Sequence, residues 1–186
     1  MTSTKSLTNK SIITLIFLFL AILITRGSHL LTPVSLPDAS FAIFLIGGML
    51  LKKPKWFSCL FVFSVIIDLV TLAMNNPYQI PINMGYLGLL PAYASMWFIG
   101  SYNTNTTSFF KFTIFGVIAT LIAFLISTQT YNLFSGRFPD INITQSIQTG
   151  WEYLPQNLLY TMIYLMVYWG IKSLFKKQFL SQKATI

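Results

Sequence analysis

Charge is the scarcest property of this sequence. Only 9% of its 186 residues are Asp, Glu, Lys or Arg, where a soluble domain carries about 25%. Four of them are acids, and there is one cysteine and one histidine. A single cysteine excludes an internal disulfide and a cysteine-rich zinc site. A single histidine leaves zinc short of the three or four protein ligands it needs. No Walker A run exists to cradle a phosphate, and neither HExxH nor GxSxG is present. Nothing assembles a nucleophile with a base, so an enzyme is not expected. The chain also lacks the internal repeat that marks many secondary transporters and any low-complexity tract.

What remains is apolar: 54% hydrophobic and 16% aromatic residues, with a mean hydropathy of +0.67. Such a chain is expected to be an all-α integral membrane protein, and its length suits one transmembrane domain, 1–186, with no soluble one. Apolar segments at about 11–25, 39–51, 56–74, 82–101, 111–131 and 151–171 predict six transmembrane helices. Lys5 and Lys10 ahead of an apolar run look like a signal peptide. The run ends in LITRGSH without a small-x-small cleavage signal, so it is expected to persist as the first span. If the spans alternate, Lys5, Lys10, Lys52, Lys53, Lys55, Lys111, Lys172, Lys176, Lys177 and Lys183 fall on one side, and only Arg26 and Arg137 on the other. The positive-inside rule then places both termini in the cytoplasm. The net charge of +8 is thereby explained by topology and anionic lipid. No nucleic-acid partner is expected, because the bases lack an aromatic-interleaved patch.

Residues 25–41, TRGSHLLTPVSLPDASF, interrupt this apolar text with Arg26, His29, Pro33, Pro37 and Asp38. The prolines break any helix. The apolar run that follows, Ala39 to Leu51, has 13 residues, or about 20 Å of helix, against a hydrocarbon core about 30 Å thick. The run before it, Ile12 to Ile24, is equally short. A polar loop between two short spans is expected to dip below the membrane surface, where irregular backbone needs protein or a water-filled cavity beside it. A recess on the outer face follows from this.

Asp68, in SVIIDLVTLA, falls 12 residues into the third helix, roughly 18 Å deep. An acid there either serves a ligand or makes a structural hydrogen bond to a neighbouring helix or to Arg26. His29 can donate a hydrogen bond, ligate a ligand's metal centre, or simply face water. Asn75, Asn76, Tyr78, Gln79 and Asn83 supply neutral donors and acceptors, which suit an amide-rich or polyhydroxylated ligand better than a phosphate. Gly85 and Gly88 permit close backbone approach. On the last helix Tyr153, Asn157, Tyr160, Tyr164 and Tyr168 share one face; packing alone also explains the tyrosines. Its outer end adds Glu152 and Gln156. SGRFPDINIT, residues 135–144, brings Arg137 and Asp140 and reads as a cap over the recess or a plain connection.

TRGSHLL and SLPDASFAIFLIGG, Asp68 in the third helix, and GLLPAYASMWFIG in the fourth resemble the BtuM-type proteins. These are solitary cobalamin-uptake S components, related to the substrate-binding subunits of energy-coupling-factor transporters. The similarity covers roughly residues 12–100. It implies a six-helix, multi-pass protein of the bacterial inner membrane that binds cobalamin or another corrinoid from the periplasmic side, with or without an energy-coupling module as partner. Cobalamin is the cargo, and no cofactor of the protein's own is implied. The resemblance makes His29, Asp68 and Tyr86 ligand-proximal. His29 is then the candidate ligand to the corrinoid cobalt, and Met84 a weaker thioether donor. The full expected ligand set is Arg26, His29, Asp38, Asp68, Asn75, Tyr78, Asn83, Met84, Tyr86, Arg137, Glu152 and Asn157. Two features depart from the family. Residues 75–88 lack the cysteine that contacts cobalt in some members, and the first helix offers only Ala21 with Thr25 where an alanine-x-x-x-alanine pattern docks a coupling subunit. An S component for a different vitamin, or a small membrane enzyme using His29 and Asp68 as acid and base, are the alternatives.

Overall fold

The computed structural model describes residues 2–27, 36–74, 82–103 and 108–184, with side chains from Asn9 to Leu174 within those ranges. Regular structure among the described residues is entirely helical. The main helices are α1 (Thr2–Arg26), α2 (Ser40–Leu51), α3 (Pro54–Ala73), α4 (Leu89–Tyr102), α5 (Phe109–Phe134) and α7 (Leu154–Ala184), six in all among the described residues. A six-residue helix, α6 (Ile143–Gln148), lies between α5 and α7, and 3-10 turns at Met84–Gly88 and Trp151–Tyr153 lead into α4 and α7. Three stretches are long and apolar enough to cross a membrane: Asn9–Arg26, Pro54–Ala73 and Phe109–Phe134. Large apolar side chains such as Phe17, Val62, Ile118 and Val167 face outward on four different helices. A surface of that kind belongs in a bilayer, and the chain is a multi-pass membrane protein.

Local chemistry sets the helix ends. Pro54 opens α3, where its missing N–H is one the helix would leave unbonded anyway. α2 stops where Lys52 turns left-handed (φ 57°) and donates its N–H back to the Gly48 carbonyl at 3.3 Å. Ser108 caps α5, and Asn142 forms a reciprocal capping box with Gln145 at the start of α6. α5 runs to Phe134, three residues past its expected end at 131. The stretch 132–150, read from sequence as loop, therefore contains two helical pieces. Ser146 of α6 is buried against α5, donating its hydroxyl to Gln129 Oε1 at 2.6 Å. Gln129 and Asn132 in turn donate to the Ser146 carbonyl at 3.0 and 3.3 Å.

α2 is the hub. Its residues are apolar all round, which suits a helix surrounded on every side, and Ala42 to Met49 are all buried. It packs against each of the other five main helices. Its closest neighbour is α4: a Cβ on Gly48 would run into the Trp97 backbone, and one on Gly100 into the Leu45 carbonyl. The two backbones touch there because glycine permits it. Ring pairs fix the directions of the rest. Phe19 meets Phe63 at 4.5 Å and, further along both helices, Arg26 meets Asp68, so α1 and α3 run the same way; Phe112 meets Trp169 at 4.8 Å and Phe124 meets Trp151 at 6.1 Å, so α5 and α7 run opposite. The C-terminal ends of α1, α3 and α5 thus gather with the N-terminal ends of α2, α4 and α7. Exposed Lys10, Lys52, Lys53, Lys55, Lys111 and Lys172 lie toward the opposite end.

Candidate functional site

Arg26, the last residue of α1, is buried at the gathering point of these helix ends. Its guanidinium grips the Asp68 carboxylate of α3 through two parallel bonds, Nε to Oδ1 at 2.7 Å and Nη2 to Oδ2 at 2.6 Å. This fork-on-fork geometry is the strongest that the two groups can make. The remaining nitrogen, Nη1, reaches Asp38 Oδ2 (3.1 Å), Ser40 Oγ (3.0 Å) and Tyr93 Oη (2.6 Å). Tyr86, from the 3-10 turn before α4, donates its hydroxyl to Asp68 Oδ2 at 2.6 Å. Asp38 Oδ1 accepts the backbone N–H and the hydroxyl of Ser40, at 2.9 and 2.6 Å, at the start of α2. One cation thereby joins α1, α2, α3 and α4. A buried ion pair is tolerated when its spare donors and acceptors are also satisfied, and here they are.

The network has two carboxylates for one guanidinium. Asp68 is sealed, with 3% of its side chain exposed, while Asp38 keeps 48%. The surplus negative charge therefore faces open space. That space is a cavity of about 410 Å³ between α2, α4, α5 and α7, lined by Arg26, Asp38, Phe41, Tyr93, Asn157 and Tyr160 among others. A second cavity of about 620 Å³ adjoins it, lined by Tyr86, Phe124, Tyr131, Arg137, Glu152 and Tyr153 among others. Leu89, Ser127 and Asn157 line both, so the two are lobes of one recess. Its walls combine aromatic faces, hydroxyls and amides with the charged Arg26, Asp38, Arg137 and Glu152. Gly150, with φ 94°, holds the turn into α7 where a side chain would meet Thr128.

The expected residues fall into three groups. Arg26, Asp38, Tyr86, Arg137, Glu152 and Asn157 line the recess. Asp68 does not line either lobe; it stands behind Arg26 and Tyr86 and holds both. Asn83 caps the 3-10 turn by accepting the Tyr86 N–H at 3.2 Å, so its part is to position Tyr86. Met84 is exposed and lines neither lobe. His29, Asn75 and Tyr78 lie outside the described residues. Among the described residues no cluster of three or more His, Cys, Asp and Glu is placed to hold a metal. Cys59 is exposed on the outer face of α3, beside Phe19 and Phe63 and away from the recess.

Sequence reasoning missed Ser40 and Tyr93, although both stand inside LPDAS and LLPAY. It also missed the inner face of α5, where Ser127 and Tyr131 are one turn apart and enter the lining. The signal was the polar run STQTYN at 127–132 closing an otherwise apolar helix. Of the shared face on the last helix, Tyr153, Asn157 and Tyr160 line the recess, and Tyr164 donates to the Pro37 carbonyl at 2.7 Å. That bond fastens the start of α2 to α7. No protein-family model matches the chain, and no curated relative does.

Proposed function

We propose that this chain is the substrate-binding membrane protein of a vitamin-uptake system in the bacterial inner membrane, taking cobalamin or a corrinoid precursor into the recess from the periplasmic side. The observation that carries the reading is the recess itself: two joined lobes at the lysine-poor end, walled by aromatic rings and hydrogen-bonding groups, with two cations (Arg26, Arg137) and two acids (Asp38, Glu152) among them. A large ligand carrying peripheral amides and a flat ring system fits that chemistry. Amide N–H groups can be accepted by Asp38 and by Asn157 and Gln156, and ring faces can lie against Tyr86, Phe124, Tyr131 and Tyr153. With the lysines inside, the recess opens outward and the termini are cytoplasmic.

Acid–base catalysis by Asp68 is the weaker alternative, because the Arg26 fork and the Tyr86 hydroxyl already engage both of its oxygens. Release to the other side would follow a reorientation of the whole bundle or docking onto a coupling module. The deciding experiment is direct: protein purified in detergent from cells grown with cyanocobalamin should emerge as a coloured complex of one corrinoid per chain. Leu89→Trp, at the junction of the lobes, should lose the colour while remaining folded. Colourless wild-type protein that also fails to bind added cyanocobalamin or cobinamide would refute the corrinoid reading. Cys59→Ser should bind unchanged, and bound cyanocobalamin should keep its cyanide.

A further inference from the structure

Arg26 is engaged by Asp68 and Asp38, whereas among the described residues Arg137 pairs with no acid. The positive-inside rule does not account for this second arginine, because it lines the recess at the lysine-poor end. Local chemistry nonetheless fixes its position. α5 closes on Ser135, whose hydroxyl accepts the Arg137 backbone N–H at 3.2 Å. Gly136 between them turns left-handed, with φ 73°, a conformation that glycine takes freely. The guanidinium is thereby brought back to α5, where Nη1 donates to the Tyr131 hydroxyl at 3.3 Å, and into the wall of the larger lobe.

The groups around it are donors. A guanidinium offers N–H groups only and never accepts. The Tyr131 hydroxyl accepts one of them and keeps its own proton to donate. Tyr153, in the same lining, brings a second phenol close enough to act on the charge of Arg137. Glu152 also lines the lobe, but it sits in the first turn of the helical run into α7, where a helix start favours an acid, and it is not among the groups acting on Arg137. The smaller lobe is the opposite, for there Asp38 presents the surplus carboxylate. The recess is thus polarised along its length. Donor groups of a ligand belong beside Asp38, and an acceptor-only anion belongs beside Arg137. A planar carboxylate fills a guanidinium fork alone, whereas the diverging oxygens of a phosphate reach guanidinium and phenols together.

We propose that Arg137, with Tyr131 and Tyr153, forms an anion subsite at the rim of the larger lobe that takes a phosphate diester carried by the ligand. The inference rests on the corrinoid reading. It makes complete cobalamin, whose nucleotide loop carries such a diester, the preferred substrate over cobinamide, which has none. The test titrates cyanocobalamin and dicyanocobinamide, followed by absorbance, into full-length protein in phospholipid-free detergent. Wild type should bind cyanocobalamin about tenfold tighter, the lower end for a hydrogen bond to a charged group, and the margin should shrink as salt is raised. Arg137→Gln, at an exposed position, should bring the two ligands to equal affinity, and Arg137→Lys should keep part of the margin. Equal affinities in wild type, or a margin that survives Arg137→Gln or ignores salt, would overturn the inference and leave the corrinoid reading standing. Binding of neither corrinoid would remove both. Arg137-dependent retention of added phosphatidylglycerol, by protein that binds the two corrinoids equally, would overturn it too and assign the donors to a lipid headgroup.

Discussion

Arg26 and Asp68 are the residues on which the recess end of the bundle depends, and they are unequal to their neighbours. Both side chains are 3% exposed, so each is acceptable in the interior only because the other is there. Arg26→Ala alone should cost about 3–5 kcal/mol, the usual result of stranding one member of a buried pair, and Asp68→Ala a comparable amount. Arg26→Ala combined with Asp68→Ala should cost much less than the sum of the two single losses. Tm values for the four proteins give the cycle, and additive losses would show that the pair is not coupled. Asp38, half in water, should contribute much less to stability. Its neutralisation to Asn should instead weaken ligand binding, since it faces the recess. The pairing of Asp68 with Arg26 was one of two readings open in the sequence, because an intramembrane acid needs a partner. Ser40 and Tyr93 were not legible, since nothing in composition or spacing tells which hydroxyl will meet a cation on another helix.

At the scale of the element, the short α2 is the part that sequence and structure explain together. Thirteen apolar residues after two prolines foretold a short helix, and the structure gives twelve, Ser40–Leu51. Its central position was not legible, because an apolar helix in lipid and one in protein have the same composition. The glycines carried that information: Gly47, Gly48 and Gly100 sit where α2 and α4 meet. Gly48→Val should push the two backbones apart and lower Tm well beyond what Gly116→Val does, since at Gly116 the obstructing atoms are the flexible ends of Leu165 and Met162. Equal effects would refute the backbone-contact account. The short α6 escaped sequence reasoning because six residues are too few for a period to appear, and only the Asn142–Gln145 capping box announces it.

For the whole molecule, the alternation of helix directions leaves the lysines at one end and the recess at the other, so orientation is open to a direct measurement. In a Cys59→Ser background, Ser135→Cys should react with an impermeant thiol reagent on intact cells, and Lys53→Cys only after permeabilisation. The reverse order would turn the protein over. The ion pair has a temporal consequence as well. Arg26 and Asp68 are 42 residues apart in the chain, so during synthesis the cation reaches the membrane well before its counter-ion exists. An unpaired arginine inside a bilayer costs several kcal/mol, and the end of α1 should stay at the water interface until α3 arrives. A chain truncated after Val65 and carrying Thr25→Cys and Cys59→Ser should label from outside, whereas the same chain extended to Met74 should be protected. Protection in both would mean that α1 settles unaided. The last step in seating the first helix is thus taken by the third, and the order of translation is written into a single salt bridge.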